Sequence, residues 1–234
     1  MCGRYTLREK LNRVLAEWGY EQTEEYASRY NIAPTQQIPI VVPAGSAATG
    51  VSGGGNAGRG VGKLVRWGLV PSWAADRKIG SSLINAWAET VAEKPAFRSA
   101  FKRGRCLVVA DGFIEWKKVG DVKQPYFIRM KDDRPFTFAG LTERWTKGPA
   151  GEPPLETATI ITTEANRLMS SIHDRMPVIL PAEARAVWLD PEFQGKDQLL
   201  GLLRPYPDEE LIATPVSRLV NSPKTDDPRC LNPL

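Results

Sequence analysis

The sequence predicts an α+β protein built around a large, mostly antiparallel β-sheet. Apolar, β-branched runs follow one another through the chain with short turn-like connections, a pattern typical of hairpins and meanders. Stretches with helical periodicity are short and scattered, and they do not alternate regularly with the strands as they do in a parallel sheet. An antiparallel sheet flanked by a few helices accounts for both observations.

The first third of the chain is predicted to hold one helix and two strands. Residues 6–19 carry apolar side chains at helical spacing, and Thr6 with Glu9 forms a capping-box pattern. Residues 38–42 and 63–70 are apolar runs typical of strands. The helix would therefore begin shortly after the amino terminus, ahead of the first strand.

Residues 44–62 connect those two strands and are predicted to form a flexible loop. The segment reads AGSAATGVSGGGNAGRGVG, which is too small and too rich in glycine to pack. We interpret it as a loop within a single domain spanning residues 1–234.

The rest of the chain is predicted to continue the sheet, with helices between some of its strands. The predicted strands are 106–110, 113–118, 126–130, 136–141, 157–163, 176–180 and 211–216. The predicted helices are 95–102, 165–171, a helix from Pro181 onward, and 198–203. The turn-like residues 119–121 between two of the strands indicate a hairpin.

Composition and charge restrict the class of protein but not its function. The chain has 234 residues, of which 42% are hydrophobic and 25% charged, and a net charge of +4 permits a polyanionic partner without requiring one. No run approaches the roughly 18 apolar residues of a membrane span, so a cytoplasmic location is expected. Three scattered cysteines predict reduced thiols, with no disulfide framework and no metal or other cofactor. Nothing in the pattern calls for a dimer, so a monomer is expected.

Cys2 is the candidate nucleophile. Removal of Met1, which is expected before a small side chain, leaves Cys2 with a free α-amine beside its thiol. Such an aminothiol reacts twice with an aldehyde, because the amine forms a Schiff base and the sulfur then closes a thiazolidine ring. The reference pKa of an α-amine, ~7.7–8.0, leaves part of it nucleophilic at pH 7. Taken alone, however, a cysteine at position two is more often accidental.

Two titratable residues are candidates for proton transfer. His173 is the sole histidine, and its type of side chain titrates near pH 7, although a single histidine is more often structural. Glu115 follows apolar residues on a predicted strand, where a raised pKa would suit a proton shuttle; a solvent-facing ion-pair partner is an equal interpretation. Trp116 beside it can stack on a nucleobase or lie in the core.

Asparagines and a proline mark two further tight connections. Asn31 and Pro34 lie in SRYNIAPTQ, and Asn85 lies in LINAWAET. Asparagine in such positions usually serves turn geometry. Its amide can also orient a sugar or a base by donating and accepting hydrogen bonds.

Eight short motifs occur in an order that resembles the SOS response-associated peptidase (SRAP) family. They are MCGRY, RYNIAPTQ, WGLVPSW, INAWAET, ADGFIEWKK, ITTEAN, IHDRMPVIL and TPVSRLVN. The resemblance covers essentially the whole chain. It implies an α+β fold with a large, mostly antiparallel sheet or an open barrel-like core flanked by helices.

The resemblance also implies an enzyme of DNA repair. Such an enzyme would bind single-stranded DNA that contains abasic sites and trap the abasic aldehyde as a thiazolidine crosslink at its amino-terminal cysteine. It would work in the cytoplasm, associated with the nucleoid during DNA damage.

Roles for individual residues follow from the motifs of this family. The implied catalytic residues are Cys2 as covalent nucleophile, Glu115 as proton shuttle, His173 as the acid that assists sugar-ring opening, and Asn85 as the residue that positions the sugar. The implied DNA-binding residues are Arg4 and Asn31 around the lesion, Thr162 at the adjacent backbone, Pro34 and Trp116 against flanking bases, and Trp67.

One motif departs from the family pattern. The family commonly has an arginine where INAWAET has Trp87, so one expected phosphate contact is missing. Arg66, Arg77 and Arg105 are candidates to replace it.

Two other functions are compatible with the sequence. A cysteine peptidase would use the thiol of Cys2 with His173 as its base, and would not need the α-amine. A non-catalytic module for single-stranded DNA would bind through basic residues and stacking tryptophans. Its binding would be steeply salt-dependent and would survive the loss of Cys2.

Overall fold

The computed structural model describes residues 2–45 and 60–234. Its strands are β1 (Tyr5–Leu7), β2 (Glu21–Gln22), β3 (Arg29–Ile32), β4 (Gln37–Pro43), β5 (Gly60–Trp67), β6 (Asn85–Trp87), β7 (Arg105–Ala110), β8 (Gly112–Val119), β9 (Val122–Met130), β10 (Phe136–Trp145), β11 (Leu155–Glu164), β12 (Arg175–Pro177), β13 (Ile179–Leu180) and β14 (Leu211–Pro215). Its α-helices are α1 (Leu11–Glu17), α2 (Arg98–Arg103), α3 (Arg167–Ser170), α4 (Ala184–Leu189) and α5 (Lys196–Gly201).

Five of these strands close into a barrel. β5, β4, β7, β10 and β11 pair antiparallel in that order, and a parallel pairing of β11 with β5 closes the ring. These strands supply many of the fully buried apolar side chains, such as Ile40, Val108, Phe138 and Ile160. The predicted α+β fold with a barrel-like core is confirmed, and the barrel is closed where an open one was expected.

A second, antiparallel sheet has the strand order β14-β9-β8-β1-β3. β1 lies between β8 and β3, with Tyr5 opposite Phe113 on one side and Ile32 on the other. The ring of Tyr5 packs edge-on against Trp67 of β5, at 5.4 Å between centroids. This contact joins the second sheet to the barrel.

Two short strands pair with the barrel strand β11 near its carboxyl end. β6 pairs with it in parallel, with Asn85 beside Ile160 and Trp87 beside Thr162. β12 pairs with it antiparallel, so that Thr162 also lies beside Pro177. Three of the predicted site motifs therefore meet around Thr162.

The predicted helix over residues 6–19 is wrong in its first half. Thr6 and Leu7 belong to strand β1, and the helix begins only at Leu11, with no side-chain cap from Lys10. Thr6 instead donates from Oγ1 to the buried carboxylate of Asp111, at 2.6 Å. Pairing with two neighbouring strands, in which Leu7 is completely buried, outweighs the local helical pattern.

The other predicted helices and strands are present, with bounds that differ by a few residues, but the strand predicted over 176–180 is divided into β12 and β13, which pair with different strands. Strands β2, β3 and β6 were not predicted. The end of the predicted loop is also wrong, since Gly60 to Gly62 belong to strand β5. Residues 46–59 of that loop lie outside the described residues. Within the described ranges, no helix is long and apolar enough to cross a membrane.

Candidate active site

Cys2 lies at the start of the chain beside strand β8, which carries Glu115. β1 pairs with β8 so that Tyr5 faces Phe113, and the N–H of Ile114 donates to the carbonyl of Arg4 at 3.0 Å. Continued toward the amino terminus, this register brings Gly3 and Cys2 alongside Glu115 and Trp116. The strand pairing, and not proximity in sequence, therefore brings the candidate nucleophile to the candidate proton shuttle.

Burial dominates the electrostatics of this pair. The side chain of Glu115 is only 3% exposed, and burial raises the pKa of its carboxyl to about 7. Cys2 has no exposed surface, and burial followed by the charge of Glu115 raises the pKa of its thiol well above the ordinary value. At pH 7 the thiol is therefore protonated, and Glu115 is divided between its neutral and ionised forms.

The second half of the site is the segment of His173, Asp174 and Arg175. Nδ1 of His173 accepts a hydrogen bond from the N–H of Arg175 at 3.0 Å and lies 2.8 Å from Oδ1 of Asp174. These contacts need opposite protonation states of the same nitrogen. Because burial lowers the pKa of His173 and the Asp174 side chain is largely exposed, we assign Nδ1 as the acceptor and Nε2 as the protonated nitrogen.

Asp174 links the two halves of the site. Its negative charge is among the smaller influences that raise the pKa of Glu115, so the carboxylate of Asp174 lies within electrostatic range of the carboxyl on β8. The structure thus brings Cys2, Glu115 and His173 into one region. The lowered pKa of His173 favours neutral imidazole at pH 7, so its predicted part as an acid is limited to hydrogen-bond donation from Nε2.

Asn85 opens strand β6 and is more than nine-tenths buried. Its Nδ2 donates to the carbonyl of Ile84 at 2.9 Å, while its Oδ1 has no hydrogen-bond partner among the described residues. A buried amide oxygen without a partner costs free energy unless a ligand or water satisfies it. Asn85 is therefore prepared to accept a hydrogen bond from a bound hydroxyl.

Thr162 and Arg4 lie at the borders of the site. Thr162 is completely buried, and its carbonyl accepts hydrogen bonds from the N–H of Ala88 at 2.8 Å and from Nη2 of Arg175 at 2.7 Å. It acts here through its backbone. Arg4 is half-buried, its Nη1 donates to the carbonyl of Gly3 at 2.9 Å, and burial lowers its pKa.

Asn31 has a supporting place in the structure. It is completely buried, and its Nδ2 donates to the carbonyls of Val220, Ser222 and Thr225, at 3.2, 2.9 and 2.7 Å. The side chain thus ties strand β3 to the carboxy-terminal segment. Pro34 is half-buried in the following turn, beside Thr35, whose φ of 71° is strained for a β-branched residue.

The two tryptophans among the predicted DNA-binding residues, Trp67 and Trp116, differ in exposure. Trp67 is completely buried, and its Nε1 donates to the carbonyl of Ile84 at 2.9 Å, so it offers no free ring face to a base. It supports the backbone next to Asn85 instead. Trp116 is half-buried on β8, and its Nε1 donates to Oδ1 of Asn221 at 2.8 Å, which leaves part of its ring at the surface.

Arg105 does not replace the missing phosphate contact. It is only 4% exposed, and its guanidinium donates to the carbonyls of Trp188, Phe101 and Phe193, at 2.8, 3.0 and 2.9 Å. It fastens the segment around α4 to the barrel. Arg66 and Arg77 remain at least partly exposed.

Sequence reasoning missed the ion pair that borders the site. Arg175 binds Glu89 through both terminal nitrogens, at 2.8 and 2.9 Å, and these hydrogen bonds lower the pKa of Glu89. Arg175 lies two residues after His173 in the motif IHDRMP. The motif therefore indicated that Arg175 is near the site, but not that it pairs with Glu89. Within residues 2–45 and 60–234, no cluster of three His, Cys, Asp or Glu could hold a metal ion.

Comparison with known proteins gives a consistent result. The family model described as SOS response associated peptidase (SRAP) matches residues 1–223. The chain is 44% identical to the abasic site processing protein YoqW of Bacillus subtilis over 235 residues, covering 99% of both chains. It is 32% identical to the abasic site processing protein HMCES of Xenopus tropicalis, over 97% of this chain and 72% of that one.

A crystal structure of a Bacteroides thetaiotaomicron protein has the same fold. It superimposes with a TM-score of 0.85 at 29% identity and covers 100% of both chains. This superposition agrees with the observed fold, and the family match agrees with the order of the motifs. On this evidence the chain belongs to the SOS response-associated peptidase family.

Proposed function

We propose that this protein processes abasic sites in single-stranded DNA by forming a covalent thiazolidine crosslink at Cys2. The names of its relatives, abasic site processing proteins, support the substrate. The observation that carries the chemistry is the pairing of Cys2 with a buried carboxyl whose pKa is raised to about 7.

The reaction begins with the α-amine that Met1 removal leaves on Cys2. This amine adds to the aldehyde carbon of the ring-opened deoxyribose to give a carbinolamine. Loss of the carbinolamine hydroxyl as water then leaves a Schiff base. The sulfur adds to the same carbon, its proton is released, and a five-membered ring closes with the net loss of one water.

Glu115 is suited to both proton transfers. In its neutral form it donates a proton to the departing hydroxyl and becomes a carboxylate. That carboxylate then accepts the proton of the Cys2 thiol as sulfur attacks. A carboxyl with a pKa near 7 can do both at neutral pH, whereas one with an ordinary pKa would seldom be protonated.

His173 and Asn85 form hydrogen bonds to the deoxyribose. Nε2–H of a neutral His173 donates a hydrogen bond to the deoxyribose ring oxygen and so favours the open aldehyde. The unsatisfied Oδ1 of Asn85 accepts from a sugar hydroxyl, which removes the penalty of its burial. Pro34, Trp116 and Arg4 then hold the DNA on either side.

The surroundings of Cys2 disfavour a thiol peptidase. Such an enzyme needs a thiolate, and burial raises the pKa of this thiol. The crosslinking reaction does not begin with a thiolate, because the amine attacks first.

The test compares three forms of the protein on a single-stranded oligonucleotide with one abasic site. They are the chain that starts at Cys2, the same chain with one extra residue before Cys2, and Cys2→Ala. We expect a heat-stable shifted band on a denaturing gel only for the first form. A band of equal intensity with the extended form would overturn the need for the α-amine, and no band with any form would overturn crosslinking itself.

A further inference from the structure

Two tryptophans stand out because their rings reach solvent. Of the seven in the chain, all within the described residues, Trp73 is 54% exposed and Trp87 is 46% exposed, while the others are buried or half-buried. An exposed indole adds little to the stability of the fold, and a pair of them on one surface is typical of a binding site. Neither residue has a role in the reaction proposed above.

Two cationic side chains lie close to the ring of Trp87. The guanidinium carbon of Arg175 lies 4.9 Å from the centroid of its ring, and Nζ of Lys94 lies 5.5 Å away. Arg175 is fixed by its two bonds to Glu89 and one to the carbonyl of Thr162. Lys94 has a longer, flexible side chain and is the cation that a ligand can displace most easily.

Trp73 is joined to the same place through the residue after Lys94. Its Nε1 donates to the carbonyl of Pro95 at 3.3 Å, and Nζ of Lys147 donates to the carbonyl of Trp73 at 2.8 Å. Lys94 and Pro95 therefore lie between the two rings. Aromatic side chains alternate here with lysines, as they do in proteins that bind single-stranded nucleic acid by stacking and backbone neutralisation.

The position of Trp87 relative to Asn85 indicates where this surface lies along a bound DNA strand. Both residues lie on β6, two positions apart, so their side chains leave the same face of the strand about 6.6 Å from each other. Asn85 is the residue prepared to accept a hydrogen bond from the sugar of the lesion. A nucleotide next to that sugar would lie over Trp87.

We propose that Trp87 and Trp73, with Lys94 between them, form a stacking track for the bases on one side of the abasic site. This proposal rests on the proposed function, because the abasic sugar at Asn85 sets the register. In this chain, ring stacking at Trp87 takes the place of a phosphate contact by arginine.

The test measures non-covalent binding by fluorescence anisotropy with full-length Cys2→Ala protein. The probes are oligonucleotides with one tetrahydrofuran site, a stable abasic analogue, and a second baseless position placed on either side of it. We expect removal of the neighbouring bases to weaken binding on one side only, by roughly tenfold or more per stacked base. Trp87→Ala and Trp73→Ala should weaken binding to the fully based oligonucleotide by a similar factor and abolish the dependence on those bases.

Control variants separate stacking from charge and from folding. Trp87→Phe retains a ring and should recover most of the affinity, whereas Val187→Ala, at an exposed position on α4, should have no effect. Lys94→Ala should reduce the slope of log affinity against log salt by about 0.7, and the tryptophan variants should leave that slope unchanged. Thermal melting of each variant confirms that the fold is intact.

The outcomes are distinct from those of the crosslinking test. If the tryptophan variants bind all oligonucleotides as the parent does, or lose the same affinity whether or not the neighbouring bases are present, the track is wrong. If base dependence is found as described but the Cys2 chain forms no crosslink, the track stands as a binding surface and only the crosslinking proposal fails.

Discussion

Cys2 and Cys106 are both completely buried, and burial raises the pKa of both thiols, yet their surroundings differ. Cys106 lies in barrel strand β7 opposite Gly140, and a Cβ on that glycine would come within 3.0 Å of its sulfur. Cys2 lies at the chain end beside the carboxyl of Glu115. Burial therefore does not distinguish a structural thiol from a candidate nucleophile; the adjacent amine and proton shuttle do.

The largest expected effect separates the two cysteines directly. Cys2→Ala should abolish the heat-stable crosslink with abasic DNA, because it removes the sulfur that closes the ring. Cys106→Ala should retain it. A denaturing gel of both variants measures the difference. A loss of crosslinking in Cys106→Ala with an intact fold would contradict the distinction between a structural thiol and a reactive one.

The next effect concerns the carboxyl that only Cys2 has beside it. Glu115→Gln should slow crosslinking by about 10²-fold at pH 7, which is the usual contribution of a positioned acid and base. In the parent, the rate should rise as the α-amine loses its proton near ~7.7–8.0 and fall as Glu115 ionises above about 7. The pH profile should therefore be bell-shaped with a maximum between these values.

The control for this profile is the variant itself. Glu115→Gln should retain the rise with pH and lose the fall, since glutamine does not titrate. A fall of the same steepness in the variant would show that another group supplies the proton.

A smaller effect should appear in stability. The pKa of Glu115 is raised in the folded state, so the folded protein binds more protons than the unfolded chain between the unfolded pKa of ~4.3 and about 7. Stability from this group is present at low pH and is lost as pH rises through about 7. Glu115→Gln should thus raise the free energy of unfolding at pH 8 by about 1–3 kcal/mol and leave it nearly unchanged at pH 4.5.

Denaturant unfolding at the two pH values measures this difference. A variant that is less stable than the parent at pH 8 would show that the ionised carboxylate is stabilised by its neighbours, contrary to the effect of burial.

The smallest expected effect concerns the packing of Cys106. Cys106→Ala should lower the free energy of unfolding by about 1 kcal/mol, because it removes one buried sulfur from a closed barrel. Denaturant unfolding at pH 7 measures it. No change would indicate that the barrel closes around the space left by the sulfur.

Much of the fold was predictable because its strands are long and apolar. β7 and β11 were predicted almost to their ends, since continuous runs such as CLVVA and TATIITT have few other stable arrangements. The closure of the barrel was not predictable from local pattern. It depends on a parallel pairing of Ala158 with Trp67, residues far apart in the chain.

The candidate site was predicted as residue types but not as an arrangement. Cys2 and Glu115 were singled out from chemistry and resemblance, whereas their proximity comes from the register of β1 on β8. Trp67 and Arg105 are residues whose types suggested a DNA contact that the structure does not support. Their residue types suit DNA, but both are buried and bind backbone carbonyls, a difference that sequence does not reveal.

The aminothiol of Cys2 is central to the proposed chemistry, and the intact mass of the adduct measures its reaction most directly. The chain that begins at Cys2 is incubated with abasic single-stranded DNA without a reductant, heated and weighed, beside a Cys2→Ser variant that retains the amine. We predict a stable adduct equal to protein plus oligonucleotide minus one water for cysteine, and none for serine, whose Schiff base hydrolyses. An equally stable adduct on the serine variant, or none on either, would contradict the account.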